Sequence, residues 1–227
     1  MRTFSALAAC LLLPGVAAAQ SAIPPIGSSA PSGYSAPPPG PARPAPSSGA
    51  NVTGLGLSAA FGYGSPLGDV FLAVPLGDLV AAQFPIVVGA GYRPHPRFSF
   101  GASFMYAPLS SKPCSTGTSC SLSDRALDFE ARLHFMADSR MSPWISAGLG
   151  YEWFKNVESG GTSYTLHLGG VEYVFQVGGD IRVASRLTVG PFVSVRFGTF
   201  TSGPLASYDQ HTTHGWLAFG LRGVFTG

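Results

Sequence analysis

From Asn51 onward, apolar residues alternate with small or polar ones at period two, the mark of strands whose two faces meet different surroundings. The pattern predicts eight strands, over 52–63, 85–93, 98–108, 124–136, 143–154, 164–183, 187–200 and 214–226. In the first, Leu55, Leu57, Ala59, Phe61 and Tyr63 share one face, and Gly54, Gly56, Ser58, Ala60 and Gly62 share the other. In the fourth, Leu127, Phe129, Ala131, Leu133 and Phe135 oppose Asp128, Glu130, Arg132 and His134. In the sixth the alternation changes phase at Gly169-Gly170, which predicts a β-bulge.

The connections sort into two kinds. Those at 94–97, 137–142 and 184–186 are short, those at 64–84, 109–123, 155–163 and 201–213 are long, and the kinds alternate along the chain. Short turns on one rim and long loops on the other are the arrangement of a transmembrane barrel, and an even strand number brings both termini to the periplasmic side. Eight strands enclose only enough space for side chains. The Phe-, Tyr- and Leu-rich face would overfill that space, and the Gly- and Ser-rich face with scattered charge fits it. The expected fold is therefore an all-β, eight-stranded antiparallel up-and-down barrel turned inside out, with its apolar face toward lipid. None of the outward positions assigned in this way is charged. Tyr63, Tyr106 and Trp153 would form the extracellular aromatic girdle, and Tyr92, Phe98 and Phe225 the periplasmic one.

The inward face carries the candidate chemistry. Arg93, Arg132, Arg182, Arg196 and Arg222 are matched in number by Asp128, Glu130, Glu152, Glu172 and Asp180, with His134 among them. Charges in a narrow interior must be paired or hydrated. One expectation is a salt-bridged plug, the other a narrow path opened by rearranged pairs. The loop 64–84 contains Pro66-Leu67-Gly68-Asp69 and again Pro75-Leu76-Gly77-Asp78 around an apolar stretch. It is expected either to cap the barrel rim, with a short helix beginning near Pro75, or to form a surface that meets lipopolysaccharide or a protein.

Composition agrees with a membrane barrel. Charged residues make up 11 % of the chain, against about 25 % in soluble domains, and mean hydropathy is +0.26. Apolar runs are too short for a transmembrane helix after the N-terminus. The net charge of +2 and the lack of a basic stripe exclude a nucleic-acid partner. Residues 1–19 read as a signal peptide: Arg2, an apolar run from Phe4 to Val16, and Ala17-Ala18-Ala19 as the cleavage site. Leu7-Ala8-Ala9-Cys10 offers a lipoprotein alternative. Residues 20–50 are a Pro-, Ser-, Ala- and Gly-rich linker, a spacer or a tether to a periplasmic partner. Cys114 and Cys120 flank a small polar segment and are expected to form a disulfide in an oxidising compartment. His211 and His214 near Asp209 have weak metal spacing, and no metal or cofactor is expected.

Over 51–227 the chain resembles the small eight-stranded outer-membrane barrels, the transmembrane domain of outer membrane protein A and the X- and W-type proteins. The resemblance rests on topology, patterning and the last strand, Trp216-Leu217-Ala218-Phe219-Gly220-Leu221-Arg222-Gly223-Val224-Phe225, although Thr226 and Gly227 follow the aromatic residue that usually ends it. It implies insertion by the barrel assembly machinery. The function expected is a structural or surface-interaction protein, a monomer in contact with outer-membrane lipid and lipopolysaccharide. A transporter of small or hydrophobic solutes is the alternative, and a lipid-modifying enzyme the second. No nucleophile or acid pair beside a histidine is set up by the sequence, so catalysis is not expected.

Overall fold

The computed structural model describes residues 53–71, 74–112, 118–137, 139–160, 164–203 and 213–227. The expectations for residues 1–52, and for Cys114, Asp209 and His211, lie outside the described residues. Eleven elements follow in order: β1 (Gly54–Phe71), β2 (Val74–Pro75), α1 (Leu76–Leu79), β3 (Val80–Gln83), β4 (Ile86–His95), β5 (Phe98–Ser111), β6 (Ser119–His134), β7 (Met141–Ser159), β8 (Tyr164–Arg182), β9 (Leu187–Ser202) and β10 (Thr213–Thr226).

The sheet closes on itself. Each long strand pairs antiparallel with the next, and β10 returns to β1 in a continuous register from Gly56↔Thr226 to Gly68↔His214. Closure leaves no edge, which the bilayer core demands of a sheet. Strands β3 and β4 share one position between β1 and β5. They are separated at Phe84-Pro85, where proline lacks the N–H that would continue the ladder. Neighbouring groups bridge the gap: Gly62 N–H donates to the Pro85 carbonyl (3.0 Å) and Phe84 N–H to the Pro108 carbonyl (3.1 Å). The barrel thus has eight strand positions.

The outer surface is apolar where lipid would lie. Leu55 and Phe129 are 72 % and 65 % exposed, and Phe61, Phe100, Leu149 and Phe219 are exposed with them. Water alone would not tolerate such a belt on a folded monomer. Tyr63, Tyr106 and Trp153 at its margin beside the long connections are exposed, as are Tyr92, Phe98 and Phe225 at the margin beside the short turns. From Phe98 to Tyr106 strand β5 advances about 27 Å at ~3.4 Å per residue. A tilt of about 40° leaves about 20 Å along the axis, close to the ~25 Å apolar band of such barrels.

Two expectations are corrected here. The outer face is not free of charge: Arg125 is exposed on it, placed between Tyr106 and Trp153 by the register. Its guanidinium lies 5.7 Å from the Tyr106 ring centroid. It sits in the girdle itself, where a long cationic side chain reaches the polar side of the interface. The connections 64–84, 109–123 and 155–163 are also not loops for most of their length. β1 continues to Phe71, β6 begins at Ser119, β7 runs to Ser159 and β9 to Ser202. The asymmetry between rims is largely one of strand overhang.

Above the girdle the barrel reverses polarity. On β6, Ser119 and Ser121 point out while Leu122 is buried inside; on β8, Thr165 and His167 point out while Leu166 and Leu168 are buried. This accounts for the apparent phase change at Gly169-Gly170. β8 keeps its phase throughout, with Leu166, Leu168, Glu172 and Val174 all inward. A register shift does occur beside Gly169-Gly170, but the extra residue is on β9, between Phe200 and Ser202.

Candidate functional site

The lumen is the candidate site, and it is filled in three layers. The uppermost is apolar. Val70 from the end of β1, Leu76 from α1 and Val80 from β3 are buried against Leu122, Phe154, Leu166, Leu168 and Trp216 of the barrel wall. Pro75 occupies the N-cap position of α1 and fixes where that single turn begins. The apolar segment within 64–84 therefore contributes the cap that the sequence offered as one of two readings, with Val70, Leu76 and Val80 turned into the barrel.

The middle layer is ionic and centred on Arg196. Its Nη2 donates to Asp128 Oδ2 at 2.9 Å and Oδ1 at 3.1 Å, and its Nε to Glu172 Oε2 at 3.1 Å; Nη2 also meets Glu172 Oε1. All three side chains are about 5 % exposed or less. The register explains how two acids converge on one arginine. Asp128, Gly150, Glu172 and Gly198 lie side by side on β6, β7, β8 and β9. Each glycine leaves the width that its neighbour's carboxylate needs, and a Cβ at Gly150 would collide with the Asp128 carboxylate. Next to this group Glu152 is paired with His214 Nε2 at 2.5 Å, and the His214 ring stacks on Phe200 with centroids 3.9 Å apart. Gln83 Nε2 donates to Asp124 Oδ2 at 2.9 Å.

The lowest layer, toward the short turns, is built around Trp144. The indole is 1 % exposed and donates Nε1–H to Asp180 Oδ1 at 3.0 Å. Arg132 stacks on its ring at 4.1 Å and Arg222 at 5.5 Å. Gly178 makes room for the indole, since a Cβ there would lie 2.5 Å from Trp144 Cζ2. Arg132 Nη2 also donates to Glu130 Oε1 at 2.7 Å, and Ser146 Oγ to Glu130 Oε2 at 3.2 Å. Arg93 Nη2 meets His134 Nε2, and Ser142 Oγ lies 3.4 Å from His134 Nδ1. Arg222 stands 3.9 Å from Asp180.

The expected lumen residues are thus not one network. Asp128, Glu152, Glu172 and Arg196 belong to the middle layer. Arg93, Glu130, Arg132, His134, Asp180 and Arg222 belong to the lowest, with half-buried Arg182 at its edge. The count-matched pairing is also incomplete, because Asp124 joins the interior as a further buried acid. Asp124, Gln83, His214, Trp144 and Trp216 were missed by the sequence reading. Asp124 and Trp144 share parity with Asp128 and Ser146, and that signal was available. His214, the first residue of the expected last strand and a flank of the last loop, lies inside the barrel. Cys120 is disulfide-bonded. Among the described residues no group of three or more His, Cys, Asp or Glu side chains is placed to hold a metal ion.

No family model matches this sequence, and no curated protein matches it. Solved structures do match in fold. Neisserial surface protein A superposes with a TM-score of 0.51 at 15 % identity, over 75 % of this chain and 96 % of that one. Ail, the attachment invasion locus protein of Yersinia pestis, in complex with the heparin analogue sucrose octasulfate, gives 0.51 at 11 % identity, over 76 % and 99 %. A major outer membrane protein from Thermus thermophilus gives 0.52 at 10 % identity, over 77 % and 99 %. Closed ring, lipid-facing belt and polar lumen together make this chain, in fold, a small outer-membrane β-barrel of eight strands.

Proposed function

We propose that this protein is a non-conducting outer-membrane barrel that acts through its extracellular face, as a structural or surface-contact protein, and carries no catalytic activity. The observation behind this reading is the serial filling of the lumen. A solute crossing from outside must displace the apolar cap, separate Arg196 from Asp128 and Glu172, and unstack Trp144. Breaking a buried pair by removing one partner costs about 3–5 kcal/mol, so spontaneous opening is rare. The strand overhang beyond the aromatic girdle lifts the extracellular rim clear of the lipid surface and makes it a platform for contact. A protein of the same fold is named for attachment and invasion, which is in keeping with such a role.

Planar-bilayer recording of the refolded full chain tests the reading. No steps above background are expected across pH and salt, and a stable unitary conductance would defeat the proposal. Cross-linking from engineered cysteines at exposed positions of the overhang, such as Ser121, should capture a partner or lipopolysaccharide on intact cells. Cysteines at the periplasmic turns should not.

A further inference from the structure

Beside the lowest layer, at the periplasmic end of the barrel, is a cavity of about 80 Å³ that the contact role does not use. A water occupies about 10–15 Å³ of space measured this way, so the cavity holds several waters or one small oxyanion. The sequence creates it by asymmetry. Along β1, β4 and β5 most of the lining is small: Gly54, Gly56, Gly91, Ser99, Gly101 and Ser103. Arg93, which β4 itself contributes, lines the space with Arg222 of β10, Glu130, Arg132 and His134 of β6 and Asp180 of β8.

The charges on this lining do not cancel. Glu130 is committed to Arg132 and Ser146, and Asp180 takes the Trp144 N–H. Arg93 has no carboxylate in ion-pair contact among the described residues; its partner is the His134 ring. An imidazole is neutral or cationic, so His134 cannot offset the charge of Arg93. The Nε of Arg132 and the Nη1 of Arg222 are buried without a hydrogen-bond partner among the described residues, Nη1 of Arg222 standing only in ion-pair range of Asp180 at 3.9 Å. Guanidinium N–H groups buried without a hydrogen bond are costly to leave unmet, and the planar forks of arginine match the oxygens of a phosphate-type anion.

We propose that this cavity is a binding site for a small free oxyanion of the inorganic phosphate class, reached from the periplasmic side and held by Arg93 and Arg222, with Arg132 fixed behind them on the Trp144 ring. The anion neutralises the surplus positive charge of the lowest layer.

Equilibrium dialysis of radiolabelled inorganic phosphate against the refolded full chain, in zwitterionic micelles at constant ionic strength, tests it. Saturable binding at one site per chain is expected. Arg93→Gln and, separately, Arg222→Gln should weaken it at least tenfold while unboiled protein still migrates as a folded barrel. Arg125→Gln, on the outer girdle, should leave it unchanged. Glycerol phosphate should compete, and phosphatidylglycerol added to the micelles should not. Absence of saturable binding overturns the proposal, as does phosphate binding at wild-type strength in Arg93→Gln. Equal loss in Arg125→Gln would reduce the effect to surface charge, and competition by phosphatidylglycerol would assign the site to a lipid headgroup instead.

Discussion

The two ionic layers of this lumen use the same residue types to opposite effect. In the middle layer Asp124, Asp128, Glu152 and Glu172 surround Arg196 and His214, and the side chains are tightly enclosed. In the lowest layer Arg93, Arg132, Arg182 and Arg222 outnumber Glu130 and Asp180, and a cavity is left beside them. The difference comes from which strands carry glycine. Around Arg196, glycines alternate with acids and each gap is filled by a neighbour. Beside the lowest layer, the small residues of β1, β4 and β5 lie side by side and the gap remains. A charge is locked where small and large residues alternate across strands, and left available where small residues cluster.

The sharpest way to break this comparison is to remove the central arginine. Arg196→Met leaves Asp128 and Glu172 buried without their cation. The expected loss is about 3–5 kcal/mol, read as a fall in the urea midpoint of the refolded barrel and loss of heat-modifiable migration. Adding Asp128→Leu and Glu172→Leu should recover much of that loss, because a packed apolar group replaces an unpaired charge. If Arg196→Met folds with wild-type stability, the middle layer is not locked as described.

The cap offers the next effect in size. Leu76 is 1 % exposed inside the barrel mouth, and Leu76→Ala should cost about 2–5 kcal/mol if the cavity does not collapse. The Asp78–Lys112 pair at the same rim is 4.0 Å apart with both side chains well exposed. Lys112→Ala should therefore change the urea midpoint little. Equal effects from the two substitutions would show that charge rather than apolar burial holds the cap. A smaller effect is expected in the lowest layer, where Gly178→Ala presses a methyl group into the Trp144 ring. Overpacking of this kind costs about 1–3 kcal/mol, and Gly178→Ala with Trp144→Leu should recover part of it.

Much of the barrel was legible because lipid imposes a simple rule. Within the belt, Leu127, Phe129 and Leu133 must face out and Asp128, Glu130 and Arg132 in, and period-two alternation reports this directly. Beyond the girdle the outside is water, the inside becomes apolar, and the same alternation carries the opposite meaning. Strand ends were therefore set too early, and inward Leu166 and Leu168 mimicked a phase change. Residues of the site were legible by parity alone. Their division into two layers was not, since it depends on tilt and on registers between strands distant in the chain, such as those that carry Asp128 and Arg196. His214 was hidden for a related reason: at the end of a strand, sequence position does not tell rim from interior.

The smallest expected effect decides the comparison most cleanly. Arg93 is as basic as Arg196, and a reading by residue type alone would expect similar losses from either. Arg93→Gln removes a cation from a layer already rich in them, and the glutamine amide can still donate to His134. Stability in phosphate-free buffer should stay within about 1 kcal/mol of wild type. Phosphate should then separate the two proteins. A ligand that binds only the folded state stabilises it by RT ln(1 + [L]/Kd), about 2.7 kcal/mol at a hundredfold excess over Kd. The wild-type urea midpoint should rise with phosphate while that of Arg93→Gln stays level. If Arg93→Gln instead loses as much stability as Arg196→Met, the lowest layer is as locked as the middle one, and the asymmetry between them has no energetic content.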